Sequence, residues 1–226
     1  MRAGIVLQAR MASQRLPRKA MAMLAGRPVL EQCLRRLKAG RTPVILATTT
    51  LLEDERLTQV ARALDVPAFR GAGADVLDRY VTCARTFGLD VVVRATGDNP
   101  GVDLDAPSRL LAGMADADAD YVREDGLPYG GGVEAVKTAA LARAASLADL
   151  PADREHVTTF IRRRTDLFRT VERAAPAALA RPDVRVTVDT WRDLQRMREL
   201  YARTAVDMPT LQQLIAAWDA SARWVA

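Results

Sequence analysis

The chain of 226 residues has the length of one α/β domain with a small appended subdomain. Its composition, 49% hydrophobic and 27% charged, is that of a globular protein and excludes a disordered or fibrous chain. The net charge of +5 comes from arginines that are scattered among acidic residues, and aromatic residues are few. We therefore expect no nucleic acid partner, and an anionic small molecule instead.

The N-terminal sequence and the two cysteines indicate the cellular compartment in which we expect the protein. The apolar run at residues 4–7 is too short for a secretion signal, and no apolar span of about 18 residues follows, so we expect a cytoplasmic protein with no membrane partner. Cys33 and Cys83 fall on the apolar faces of predicted helices. A reduced thiol packs there as a small hydrophobe, so the two cysteines predict neither a metal site nor a disulfide.

Short β-branched runs alternate with helical patterns in the first half of the chain, which predicts an α/β fold with a mainly parallel sheet flanked by helices. Strands are predicted at residues 4–9, 44–47, 66–70 and 90–95. Helices are predicted from Pro28 to Gly40, after a capping box formed by Thr50 and Glu53, and from Asp75 to Gly88.

The alternation loosens after residue 118. Strands are predicted there at residues 120–123, 129–137 and 166–172, with helices at 138–147 and 153–164. We interpret residues 125–175 as a small insertion that extends or flanks the sheet. A strand at residues 184–188 and helices at 190–203 and 209–220 complete a single domain, residues 1–226.

The loop after the first predicted strand is strongly basic. Guanidinium forks, an ammonium group and backbone amides are the groups that bind a polyphosphate, although the spacing is not that of a P-loop. The alternative is a solvated basic loop without a ligand. The loop carries one hydroxyl and four cations, at Arg10, Ser13, Arg15, Arg18 and Lys19.

Two aspartates follow predicted apolar strands. Thr96, Gly97 and Asp98 follow the strand at residues 90–95, and Asp189 follows residues 184–188. Parallel neighbours deliver their carboxyl ends to one edge of a sheet, so we predict that Asp98 and Asp189 meet in one Mg²⁺ site. The alternatives are a turn former or helix cap at Asp98 and a plain N-cap at Asp189.

Several ordered segments make the sequence resemble the cytidylyltransferases of the spore-coat polysaccharide type, relatives of the acylneuraminate and Kdo cytidylyltransferases. The opening motif of that family, Gln-Ala-Arg-Met-Gly-Ser-Thr-Arg-Leu-Pro-Gly-Lys, is matched from Gln8 to Lys19 except at Ala12, Gln14 and Arg18. The further similar segments are residues 47–49, 69–71, 75–80, 96–98, 153–158 and 187–190.

The resemblance implies a nucleotide-diphospho-sugar transferase fold of the GT-A or Rossmann-like kind. It implies catalytic roles for Arg10, Lys19, Asp98 and Asp189, the two aspartates being the metal ligands. The implied nucleotide-binding residues are Ala9, Arg10, Ser13, Arg15, Lys19, Thr48, Arg70, Asp75, Thr96 and Gly97. The implied acceptor-side residues are Glu134, Arg154 and His156, and His156 has a structural or interface role as its alternative.

The predicted reaction is in-line attack of an acidic sugar or similar small acid on the α-phosphorus of CTP, which releases pyrophosphate and requires Mg²⁺. The resemblance further implies a homodimer, with residues 125–175 serving acceptor binding and dimerisation. Two alternatives remain open. One is a glycosyltransferase of the same fold class that uses a nucleotide sugar, and the other is a non-catalytic nucleotide-binding subunit of a polysaccharide or modification pathway.

Overall fold

Seven strands within residues 1–222, the part of the chain that this computed structural model describes, form one sheet. The last four residues of the predicted 1–226 domain lie outside the described residues. In chain order the strands are β1 (Ala3–Gln8), β2 (Met23–Leu24), β3 (Arg27–Pro28), β4 (Val44–Thr49), β5 (Ala68–Gly71), β6 (Val91–Thr96), β7 (Tyr121–Asp125), β8 (Glu134–Lys137) and β9 (Thr170–Ala174), and β2 and β3 form a separate hairpin. The sheet order is β5-β4-β1-β6-β8-β7-β9, and β8 alone runs against the others.

Helices cover both faces of this sheet. In chain order the helices are α1 (Val29–Lys38), α2 (Glu55–Ala63), α3 (Val76–Thr86), α4 (Ala106–Ala117), α5 (Thr138–Leu147), α6 (Pro151–Glu155), α7 (Thr159–Arg163), α8 (Trp191–Thr204) and α9 (Leu211–Ala222). Helices α1, α2, α4, α8 and α9 pack on one face, and α3, α5 and α7 pack on the other. Within residues 1–222, no helix is long and apolar enough to cross a membrane.

The central strands are apolar because both of their faces are covered. In β1, Val6 packs with the α3 side and Leu7 with the α1 side, and both are fully buried. Val92 and Val93 divide in the same way in β6. Continuous apolar runs are typical of parallel strands between two helical layers. The predicted α/β class with a mainly parallel sheet is therefore confirmed.

The predicted strand at residues 184–188 is wrong. The segment is extended, but its only ladder contact is an isolated bridge between Arg185 and Tyr129. Val184, Val186 and Val188 are fully buried because they pack into the core beneath the loops. The alternation of apolar residues therefore indicated that these side chains are buried. The backbone of the segment forms its hydrogen bonds with loops and not with a neighbouring strand.

Several other predicted boundaries also differ. The strand predicted at residues 129–137 begins only at Glu134, because Gly130 has a positive φ of 89° and turns the chain. The strand predicted at 166–172 lies at Thr170–Ala174. The helix predicted at 153–164 is broken at residues 156–158, and the predicted cap of α2 by Thr50 and Glu53 is absent. Residues 125–175 nevertheless extend the same sheet with β8 and β9.

The extended segment is fixed against the loop after β6. The amide of Val188 donates to the carbonyl of Asp98 at 2.8 Å, and the Thr187 hydroxyl donates to the same carbonyl at 3.2 Å. A Cβ added at Gly101 would lie 2.6 Å from the Cβ of Val186. Close backbone approach at Gly101 therefore holds the two segments together.

We expect Gly101→Ala to lower the free energy of unfolding by about 1–3 kcal/mol, because the added methyl overlaps Val186. Urea denaturation is the measurement. Gly73→Ala is the matched control, because a Cβ there meets nothing within 4 Å, and it should change stability by less than about 0.5 kcal/mol. Equal stability of the two variants would contradict the prediction.

Candidate active site

A cavity of about 1260 Å³ opens at the carboxyl ends of β1 and β6. The chain builds outward from β1 first to β4 and β5 and then, on the other side, to β6, so the cavity lies at the point where the strand order reverses. Open α/β sheets bind ligands in this crevice. The cavity wall is formed by the basic loop, the loop after β6, the turn before β8, the end of α6, and residues Thr187 and Asp189.

The basic loop is anchored by backbone contacts at its start. The amide of Gly97 donates to the Gln8 carbonyl at 2.7 Å, and the amide of Met11 donates to the fully buried carboxylate of Asp54 at 2.6 Å. Asp54 also accepts a hydrogen bond from the Thr49 hydroxyl. These contacts hold the first residues of the loop at the cavity mouth.

The two departures from the family glycines differ in their structural consequences. Arg18 has φ of 56° and ψ of 31°, a left-handed conformation that costs a non-glycine residue roughly 1 kcal/mol or more. The arginine thus keeps the backbone conformation that a glycine takes easily, and its side chain is exposed outside the cavity wall. Ala12 does not have a positive φ, so its conformation does not require glycine.

Asp98 and Asp189 converge on one ammonium group. The Nζ of Lys19 contacts Oδ2 of Asp98 and lies 3.1 Å from Oδ1 of Asp189. Two oxygens that bind the same nitrogen lie within about 6.5 Å of each other. Burial by itself lowers the pKa of Lys19, but the two carboxylates outweigh it and hold that pKa above its usual value.

Asp189 is not the N-cap of α8. Thr190 is the cap, and it forms a reciprocal capping box with Asp193. The Asp189 carboxylate instead meets three cations: Arg15 at 2.9 Å and Lys19 at Oδ1, and Arg185 at 3.0 Å at Oδ2. The alternative of a plain helix cap is therefore excluded for Asp189.

Two further ion pairs line the cavity. Arg10 donates to Glu155 at 2.6 Å, and Arg94 donates to Glu134 at 2.8 Å. Burial alone raises the pKa of Glu134, but Arg94 and hydrogen bonds from Tyr121 and Thr158 lower it below the ordinary value. Glu134 is thus a carboxylate held in place in the wall of the cavity.

His156 faces the cavity from a tight turn. It ends α6, and the amide of Thr158 donates back to its carbonyl at 2.6 Å across Val157. Val157 has φ of 59°, which is strained for a β-branched residue, yet its side chain is fully buried. Packing of Val157 therefore fixes the turn that leaves the His156 side chain exposed at the cavity wall.

The predicted site residues divide into two groups. Ala9, Arg10, Ser13, Arg15, Lys19, Thr96, Gly97, Asp98, Glu134, His156 and Asp189 all line the cavity. Thr48, Arg70, Asp75 and Arg154 do not. Arg70 binds Glu55 and the carbonyls of residues 49–51, and Arg154 binds Asp75. The nucleotide roles of the first three and the acceptor role of Arg154 stay predictions.

Sequence reasoning missed other residues at the site. Arg94 is a charged residue inside an otherwise apolar strand, and that pattern was a usable signal. Glu124, Glu155 and Arg185 carried no local signal, because their partners are set by the tertiary fold or by an irregular segment. Tyr129 also lines the cavity and is 57% exposed.

The residues present fit a divalent cation. The carboxylates of Asp98 and Asp189 already share a cation, Lys19, so the pair is arranged for positive charge. No group of three acidic, histidine or cysteine side chains suited to a metal occurs within residues 1–222. Mg²⁺ commonly uses one or two carboxylates and completes its shell with water and substrate phosphates.

A mainly parallel sheet with a cation-rich loop and two acids at its switch point is the arrangement of a nucleotide-using transferase. Comparison with known proteins specifies the family. The cytidylyltransferase family model matches residues 3–216, and the chain therefore belongs to the cytidylyltransferase family.

Two relatives support this assignment. An uncharacterised protein of Methanocaldococcus jannaschii is 32% identical over 93% of this chain and 87% of its own length. The spore coat polysaccharide biosynthesis protein SpsF of Bacillus subtilis is 30% identical over 88% of this chain and 85% of its own length. The resemblance stated from the sequence motifs is thus confirmed.

Solved structures agree on the fold. A cytidylyltransferase from Leptospira borgpetersenii superimposes with a TM-score of 0.92 at 25% identity, covering 99% of this chain and 96% of its own. A CMP:2-keto-3-deoxy-manno-octonic acid synthetase complexed with CTP superimposes with a TM-score of 0.70 at 21% identity, covering 90% and 99%. The second likeness supports the shared fold.

A pH prediction follows from Asp193, which holds Arg185 and caps α8. Burial alone raises its pKa, but hydrogen bonds from Arg185 and Thr190 outweigh this and leave it at about 2. The unfolded value is about 3.9, so the ionised carboxylate contributes about 2 kcal/mol that is complete above pH 5 and is lost as the pH falls toward 2.

We therefore expect wild type to exceed Asp193→Asn in free energy of unfolding by about 2 kcal/mol at pH 7 and by almost nothing near pH 2. Urea denaturation of both proteins across this range is the measurement. A difference that stays constant with pH would contradict the assignment of an ionic anchor.

Proposed function

We propose that this protein transfers CMP from CTP to an acidic sugar or a similar small acid and releases pyrophosphate. The main support is the cavity in which the loop cations Arg10, Arg15 and Lys19 face Asp98 and Asp189. A triphosphate needs several cations at its β and γ phosphates, whereas a finished nucleotide sugar lacks the γ phosphate. The family membership and the SpsF relative agree with nucleotide activation for polysaccharide synthesis.

The protein's own groups act mainly by position and charge. Arg10 presents a guanidinium to the cavity, held from one side by Glu155, and Arg15 and Lys19 approach from the loop. On triphosphate binding these cations exchange carboxylate partners for phosphate oxygens, which orients the α-phosphorus toward the acceptor side. Glu134, His156 and Tyr129 line that side and are the candidates for acceptor contacts.

We further propose that Mg²⁺ is the cofactor, held by Asp98 and Asp189. When bound, it would stabilise negative charge on the phosphates as pyrophosphate departs. Lys19 and Arg15 now neutralise these carboxylates, so their release to the triphosphate makes room for positive charge. Nucleotide and metal should consequently bind more tightly together than apart.

The decisive experiment incubates the protein with CTP, Mg²⁺ and a panel of ulosonic acids, aldoses and phosphonates, and follows pyrophosphate release and CMP adducts by mass spectrometry. We expect an adduct with an ulosonic acid or a related acid. Asp98→Asn is the inactive control. Binding of CTP without adduct formation for any acceptor would favour a non-catalytic subunit, and transfer of sugar from a nucleotide sugar would favour a glycosyltransferase.

Replacement of a loop cation should weaken nucleotide binding. The Lys19 side chain is 19% exposed and contacts both acids, whereas Arg15 is 64% exposed. We expect Lys19→Ala to weaken CTP binding in the presence of Mg²⁺ by about tenfold or more, and Arg15→Ala by less, because charge-assisted contacts are stronger when shielded from water.

Calorimetry with CTP measures this effect. Lys137→Ala is the matched control, because Lys137 is also paired with an aspartate, Asp118, but lies outside the cavity. CTP affinity that is equal in wild type and the Lys19 variant would refute the phosphate-loop assignment.

We also propose that the protein acts in the cytoplasm as a homodimer, with residues 125–175 contributing to the interface. Among the exposed side chains of this segment are two leucines, Leu147 at 43% and Leu150 at 56%. Exposed apolar groups on a rigid surface favour association, and two-fold dimers are the commonest soluble assembly. Light scattering at tens of micromolar should give twice the chain mass, and a monomer there would refute the dimer.

A further inference from the structure

Arg185 contacts Asp189 from the side away from the basic loop. Its Nη2 lies 3.0 Å from Oδ2 of Asp189, while Lys19 and Arg15 both contact Oδ1. The two oxygens of one carboxylate therefore have separate partners. The oxygen that faces Asp98 and the cavity belongs to the loop cations, and the other belongs to Arg185.

Arg185 is fixed by more contacts than the loop cations are. It forms a two-point contact with Asp193, at 2.7 Å from Nε and 3.2 Å from Nη2, and its guanidinium lies 4.4 Å from the ring centre of Tyr129. Asp193 is itself tied to the backbone amides of Asp189 and Thr190. The Arg185 head group is thus held on one edge by a carboxylate and on one face by an aromatic ring.

Lys19 and Arg15 belong to the loop that is expected to bind phosphates, and they have a reason to leave Asp189 when a triphosphate arrives. Arg185 has no such reason, because it does not line the cavity and its other contacts are with Asp193 and the ring of Tyr129. A carboxylate that loses both partners of Oδ1 would otherwise be free to rotate. The contact at Oδ2 prevents that rotation.

We propose that Arg185 is a positioning residue that holds the Asp189 carboxylate by Oδ2, so that Oδ1 stays directed toward Asp98 when the loop cations move to the triphosphate. This inference rests on the proposed function, and it assigns Arg185 a task toward the metal–nucleotide complex rather than toward the nucleotide alone. Replacing a side chain that hydrogen-bonds to a metal ligand and orients it commonly lowers metal affinity by tenfold or more.

The test uses Arg185→Lys, which keeps the positive charge but loses the two-point guanidinium contact and most of the contact with the ring. A change in CTP binding would therefore come from the lost geometry and not from a change in net charge. Arg198→Lys is the matched control, because its guanidinium also lies over a ring, Trp191 at 5.4 Å, and its Nε donates to a carbonyl outside this cavity. CTP affinity is measured by calorimetry in EDTA and again in excess Mg²⁺, together with kcat and KM.

We expect Arg185→Lys to bind CTP in EDTA within about twofold of wild type and to bind it about tenfold more weakly than wild type in Mg²⁺. In turnover, kcat should fall more than the KM for CTP rises. Asp193→Asn weakens the contact that holds Arg185, so it should also lower CTP affinity in Mg²⁺ only, and by less than Arg185→Lys does. Arg198→Lys should match wild type in every measurement.

Two results overturn the inference while leaving the proposed function intact. The first is an Arg185→Lys protein that matches wild type in Mg²⁺. The second is an equal loss in EDTA and in Mg²⁺, which would place Arg185 against the nucleotide itself or give it a general role in the fold. If wild type binds CTP no better in Mg²⁺ than in EDTA, the proposed metal role fails and the inference fails with it.

Discussion

The bridge from Asp98 through Lys19 to Asp189 joins the side chains of three segments whose backbones already lie side by side. Asp98 follows β6, Asp189 follows an extended segment outside the sheet, and Lys19 comes from the loop after β1. Like charges held this close repel unless a cation lies between them. Backbone contacts bring the three segments together, and the ammonium allows two carboxylates to lie next to each other where the segments meet.

The sequence predicted the parts of the fold in which pattern and burial coincide. Strands β1, β4 and β6 lie between two helical layers, and their apolar runs reported this directly. Residues 184–188 also carry regularly spaced apolar side chains, yet their backbone pairs with a loop at Tyr129 and not with a strand. The spacing of apolar residues indicates which side chains are buried, but it does not identify the backbone with which a segment forms hydrogen bonds. The prediction that Asp98 and Asp189 meet was thus made from a wrong strand pairing.

In the candidate site, too, some residues could be predicted from the sequence and others could not. The cations of the basic loop could be recognised from residue type and spacing, and all but Arg18 line the cavity. Of the carboxylates that hold them, Asp98 and Asp189 were predicted as site residues and Glu155 was not, because Arg10 and Glu155 are 145 residues apart and their contact follows from the way α6 packs. Val157 illustrates the cause: a buried β-branched residue takes a left-handed turn only because the surrounding core stabilises it.

Without a ligand, each cavity cation from the loop is paired with a carboxylate, and this limits what can bind there. A metal ion alone would add positive charge to Asp189, which already has three cationic partners. A triphosphate alone would compete with Asp98, Asp189 and Glu155 for their cations. In the function that we propose, each charge finds a new partner only when both bind, since the phosphates would take Lys19 and Arg15 while the metal would replace them at the aspartates. The paired charges of the cavity are therefore our reason for proposing that the metal–nucleotide complex binds in preference to either component.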